Sequence, residues 1–203
     1  MIIKTKITNE LTPALAKAAG DNSMTQLHGR LGKRLEYLLR EHFADKQAQG
    51  NKQGWSDVGF WDGTSGVAQK TVLTDVSASN ATVTIADPRL AHKISGGRIT
   101  AKRGKNLAIP LTEEARDAAT KGRIRDTMPG LFCIRTAKGP WLVRSRFENV
   151  AGKTIARNRL EFLFKLTPSV NQDPDNTAMP NDAAVERGLQ PILDDFIKRI
   201  GKS

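Results

Sequence analysis

The chain has 203 residues, 38% of them hydrophobic and only 5% aromatic, and carries a formal charge of +11. That length supports one well-buried core with long excursions around it, and no apolar run reaches the roughly 18 residues a membrane helix needs. Cys133 stands alone, which excludes an intramolecular disulfide and a cysteine-based zinc site; beside Leu131, Phe132 and Ile134 it reads as a buried thiol.

The opening MIIKTKITNELT lacks the apolar centre of a signal peptide, so the expectation is a protein made and used in a cytoplasm. Ser23 and Gln26 have the spacing of a capping box, in which two side chains satisfy orphan backbone N–H groups reciprocally. Met24, Leu27, Leu31, Leu35, Leu38 and His42 follow at spacings of three and four, predicting an amphipathic helix over 23–45. Gly32 inside it marks a weak point or a place where another backbone comes close. A projecting loop over 46–66 is rich in Gln, Gly, Asn and Asp but holds Trp55, Phe60 and Trp61. Trp55 and Trp61 are its interface candidates; for Phe60 and Trp61 the role of intrachain anchor is the stronger, and for Trp55 a partner contact.

Strands are expected over 70–77 and 81–86 with a turn at Ser79-Asn80, because Val72, Thr74, Val76, Val83 and Ile85 alternate. From Arg89 to Lys105 there are six Lys or Arg, and no acid stands between Asp87 and Glu113. The segment turns at Gly96-Gly97, forms a basic loop over 95–106, and ends in a short strand around Leu107 and Ile109, stopped by Pro110. Arg98, Lys102, Arg103 and Lys105 are the candidates for contact with DNA or a partner. Thr112 then caps the helix EEARDAATK, whose acidic start and basic end suit the helix dipole, and Gly122 terminates it. Leu131–Arg135 and Trp141–Arg144 read as a hairpin, and Leu160–Leu166 as a final strand. Pro168 to Asn181 is polar and proline-punctuated, an extended arm over 167–182. A last helix starts near Asp182, buries Leu189, Leu193, Phe196, Ile197 and Ile200, and should kink or restart at Pro191. The predicted class is α+β, one domain over 1–203 in which an antiparallel sheet packs with a long N-terminal and a C-terminal helix.

No constellation for catalysis emerges. His28 and His42 lie fourteen positions apart on one helix, about 21 Å, too far to share a metal. His92 sits in a basic turn. None of the three has a carboxylate at metal or triad spacing. Glu113 and Glu114 are adjacent, so they diverge on a helix and serve as first-turn dipole partners. Asp194 and Asp195 fit a solvated helix face, and Asp173-Pro-Asp175 lacks the pattern of a calcium loop. The glycines around Arg98 and Arg103 match no phosphate-binding loop. The expectation is a non-enzyme without metal or cofactor.

Several patches in order resemble the phage virion morphogenesis family, the tail-completion proteins of Mu-like and related tailed phages. They are the helix ending HF at 42–43, NKQGW and GFW across 51–61, ISGGRITAKRGKNLAIP at 94–110, WLVR at 141–144, and the arm SVNQDPDNTAMPND at 169–182 before a terminal helix. The charged stretch 115–128 is where the chain departs from the family pattern. The resemblance implies a structural virion protein of the neck or tail, assembled in the host cytoplasm, completing the tail and joining it to the DNA-filled head. It implies a homo-oligomeric ring, six copies being natural for a tail-matched ring, with other neck and tail proteins as partners, contact with packaged DNA, and no membrane. In such a ring the contact is heterologous, one surface meeting a different one on the next copy. Basic charge over 89–165 and an acid-rich stretch from Leu166 suit that contact. The rival reading is a basic nucleic-acid-binding module or a non-virion assembly factor, supported by Arg135, Arg144 and Arg146. It is opposed by aromatics grouped in one loop instead of interleaved with basic strands.

Overall fold

A computed structural model describes residues 3–8, 13–50, 59–102, 104–150 and 153–201, with side chains outside 6–8, 13–18 and 146–159. Its elements are β1 (Ile3–Thr8), α1 (Pro13–Ala48), β2 (Thr71–Val76), β3 (Asn80–Ile85), α2 (Pro88–Ser95), β4 (Gly97–Thr100), β5 (Leu107–Pro110), α3 (Glu113–Lys121), α4 (Ile124–Thr127), β6 (Phe132–Thr136), β7 (Gly139–Val150), β8 (Lys153–Thr167), β9 (Ser169–Gln172) and α5 (Asp182–Ile200). The fold is α+β. The chain divides into two compact units instead of the single domain expected: unit 1 is Met1–Gly96 with Asp173–Ser203, and unit 2 is Gly97–Gln172.

Unit 1 packs α1 and α5 with a three-stranded antiparallel sheet of order β1-β3-β2. Alternation along central β3 buries Ala81, Val83 and Ile85. The long helix begins before the expected cap: α1 spans 36 residues, broken at Gly20, whose φ of 72° and ψ of 158° are not helical. Ser23 therefore lies within helix. The buried row is Met24, Leu27, Leu31, Leu35, Leu39 and Phe43, so its last two members differ from the expected Leu38 and His42. The reason is that α1 serves two neighbours. Leu38 turns toward α5, where a Cβ on Gly188 would stand 2.5 Å from its Cδ1, and Arg34 donates to the Gly188 carbonyl. His42 reaches the Thr177 carbonyl at 3.2 Å. On α5, Leu189 and Phe196 are buried, the helix continues through Pro191, and Ile197 faces solvent, contrary to expectation.

Trp61 is an interior residue, 7% exposed, stacked on Phe43 at 5.8 Å and 12° and edge-on to Phe60 at 4.7 Å. Of its two candidate roles the structure realises the intrachain anchor. Lys93 on α2 places its ammonium over both rings. Helix α2 was not expected; Asp87 caps it through the Arg89 N–H at 2.9 Å, with Pro88 in the first turn. The Asp87 side chain is fully buried, and the Arg89 guanidinium and the Lys70 ammonium hold its carboxyl far below the usual carboxylate range.

The 173–181 segment is no projecting arm. Asp175 N–H bonds the Lys93 carbonyl, Lys46 donates to Thr177 Oγ1, and Ala178 is buried in the core of unit 1. Before it, β9 pairs with β4, which converts part of the expected basic loop into strand.

Two expectations test unit 1. A Cβ on Gly29 meets only Val76, at 3.7 Å, whereas one on Gly32 would stand 2.6 Å from Leu73 Cδ1 and 3.0 Å from Ala81 Cβ. Gly29→Ala should therefore raise stability by about 0.5–1 kcal/mol through helix propensity. Gly32→Ala should lower it by about 1–2 kcal/mol through overpacking. Urea midpoints at unchanged slope decide both. The second concerns His28, fully buried on α1. Its Nδ1 donates to the Met24 carbonyl at 3.0 Å and its Nε2 has no hydrogen-bond partner among the described residues. Burial pushes its pKa below the ordinary histidine value, against the Met24 hydrogen bond. The unfolded chain thus binds this proton more readily, and stability should fall as pH drops through the ordinary value near 6.5 toward the lower folded one. His28→Leu should flatten that part of a stability profile measured from pH 8 to 5; an unchanged slope would contradict it.

Candidate functional site

Unit 2 is built on the four-stranded antiparallel sheet β5-β8-β7-β6. Directly paired residues of neighbouring strands point to the same side, so register sorts the side chains. Leu142 pairs with both Cys133 and Phe164. Leu142 and Phe164 face α3 and α4, where Ala115, Ala118 and Met128 are buried with Leu163 and Phe164. A register shift at Leu142/Val143 leaves Leu163 as the extra residue on β8. The bulge lets consecutive Leu163 and Phe164 both enter this core. Thr112 caps α3 as expected, and Arg144 fixes α3 to the sheet, with two bonds to Glu114 at 2.8 and 2.9 Å and one to Glu161 at 2.9 Å.

The other side of the same sheet is also apolar. Phe132, Val143 and Phe162 form one row across β6, β7 and β8; Ile134, Trp141, Lys165 and Ile109 form the next. Trp141 meets Phe162 edge-on at 5.5 Å, and its indole N–H donates to Thr136 Oγ1 at 2.8 Å. The Lys165 ammonium lies 5.8 Å from the Trp141 ring centre. Val143 is buried among these neighbours, whereas Phe132 is 41%, Phe162 40% and Leu160 38% exposed. An apolar patch of this kind is characteristic of a surface that another molecule covers. It also alters one argument made from sequence, since aromatics do stand on the strands of the basic unit.

Charge is divided as unevenly as the apolar surface. Unit 2 holds sixteen Lys or Arg against six Asp or Glu, unit 1 sixteen against fifteen. Nearly the whole excess thus belongs to unit 2. In unit 1, Arg30 and Arg199 pair with Asp195, Arg40 with Glu36, and Lys70 and Arg89 with Asp87. In unit 2, Arg98, Lys102, Lys105, Lys121, Arg123, Arg125 and Arg135 are exposed and form no ion pair with a described carboxylate.

The site residues expected from sequence are thereby dispersed. Arg98 lies on β4 opposite Asn171, and Lys102 and Lys105 are exposed in the connection to β5. Arg103 and Trp55 lie outside the described residues, as does the side chain of Arg146. Arg144 is committed to Glu114 and Glu161, and Trp61 to the core of unit 1. Cys133 is exposed on edge strand β6, not buried. Asp175 accepts the N–H and hydroxyl of Thr177, a local turn. Among the described residues no three His, Cys, Asp or Glu group as metal ligands, and no helix is long and apolar enough to cross a membrane. Unit 1 also has an open cleft of about 680 Å³, lined by Leu73, Val76 and Ile192 together with Arg30 and Lys33. Comparison of the chain with family models, with curated proteins and with solved structures gives no match.

Proposed function

We propose that this chain is a structural protein of a tailed-phage neck, completing the tail and joining it to the DNA-filled head as one protomer of an oligomeric ring. The observation that carries the assembly part is the open face of unit 2. Phe132, Trp141, Phe162 and Leu160 lie together on one side of a sheet whose other side already has its helices. Burying aromatic side chains in a contact supplies most of the energy of a typical interface. In a closed ring the contact is heterologous, the open face of one copy meeting a different surface of the next. The phage assignment itself rests on the ordered patches of sequence across 42–61, 94–110, 141–144 and 169–182. In the ring, Lys165, between Trp141 and Ile109 on the apolar face, steers the approach while the aromatic rows hold it.

Electron microscopy of intact particles carrying a tagged or antibody-labelled copy tests this reading. Label in a closed ring at the head–tail junction is the expected result. Finished particles devoid of the protein would sink the virion role and leave a transient assembly factor in its place.

A further inference from the structure

We propose that the helical side of unit 2 is a binding surface for the phosphate backbone of a nucleic-acid duplex, engaged without regard to base sequence. The surface is opposite the apolar face. Helices α3 and α4 pack inward through Ala115, Ala118, Ile124 and Met128, so their exposed residues look away from the sheet. At the corner between them stand Lys121, Arg123 and Arg125, all exposed. Arg135 lies two positions from Cys133 on β6 and therefore projects to the same side as Leu142 and the helices. None of the four forms an ion pair with a described carboxylate, in a unit with sixteen basic and six acidic side chains. An unpaired group of cations on a protein of this charge is the electrostatic footprint of polyanion binding.

The chemistry of the corner selects among polyanions. No large exposed hydrophobic side chain occurs between Glu113 and Gly130, so an acidic protein would find charge there but no apolar anchor. The same stretch contains no aromatic residue, so unpaired bases would find nothing to stack on. Cations outnumber acids at the corner, Lys121, Arg123 and Arg125 against the exposed Asp126, around the small, exposed Gly122, Ala119 and Gly130, a relief that lets a duplex backbone approach closely. Duplex phosphates repeat about every 1.7 Å of axis, dense enough for the three cations of the corner, with Arg135 on the same side of the sheet, to be neutralised by one duplex.

The test is fluorescence anisotropy with two unrelated mixed-sequence DNA duplexes of equal length, titrated from 50 to 300 mM salt. Each titration is repeated with poly-glutamate as competitor. The full chain should bind both duplexes within a few-fold of each other, and binding should weaken log-linearly with salt. The quadruple variant Lys121→Gln, Arg123→Gln, Arg125→Gln, Arg135→Gln should bind more weakly, with a salt slope shallower by about 3–4. The double variant Lys102→Gln, Lys105→Gln should lose less of the slope. An unchanged slope in the quadruple variant, stronger competition from poly-glutamate than from unlabelled duplex, or a marked preference for one sequence would overturn the proposal. Light scattering on the same samples separates it from the ring: duplex binding by a chain that stays monomeric upholds this surface and counts against the assembly.

Discussion

An antiparallel sheet with apolar residues on both faces needs two covers, and unit 2 supplies one. Helices α3 and α4, of nine and four residues, close the side bearing Leu142, Leu163 and Phe164. The side bearing Phe132, Trp141 and Phe162 keeps its aromatic surface. Antiparallel sheets with one solvated face ordinarily alternate apolar with polar residues. The run LEFLFKL at 160–166 breaks that habit, because the bulge at Leu163 moves the apolar parity from one side to the other partway along β8. This arrangement leaves unit 2 with one face too apolar to be left wet and an opposite side on which charge can concentrate.

The charge follows a physical division of labour. Unit 1 neutralises its own cations, with Asp87 and Asp195 each serving two of them, and spends its apolar residues on a shared core of α1, α5 and sheet. Unit 2 does neither to completion. Arg144 is locked between Glu114 and Glu161, but the exposed cations of the α3–α4 corner are left to solvent or a partner. Association at such a surface is governed by salt, whereas association at the aromatic face is governed by area and fit, so one chain can hold two partners through separable forces.

Elements with a strong local period were legible from sequence. The alternation of Val83 and Ile85 and the Thr112 cap each specify their element within a few residues, and the spacing of Met24, Leu27, Leu31 and Leu35 specifies the body of α1 but not its start, which lies ten residues earlier at Pro13. The end of the α1 stripe was not, because Leu38 and Leu39 are equally apolar and only the presence of α5 assigns one to each neighbour. Two further elements carry a local signal in the sequence: Asp87-Pro88 is a cap followed by a first-turn proline, and Ile3, Thr5 and Ile7 alternate with lysines in β1. The open face was illegible for a different reason. Phe132, Trp141 and Phe162 belong to three strands, and only the register, with its bulge, shows that they share a side. The pairing of β4 with β9 was hidden likewise, since both are short and polar and neither has a core-facing period.

The most direct test is a reconstruction of the assembled protein at a resolution that shows side chains. The account predicts Phe132, Trp141 and Phe162 beneath a different surface of the neighbouring copy, with Lys121, Arg123 and Arg125 left uncovered. An assembly in which those three aromatics face open solvent would contradict it.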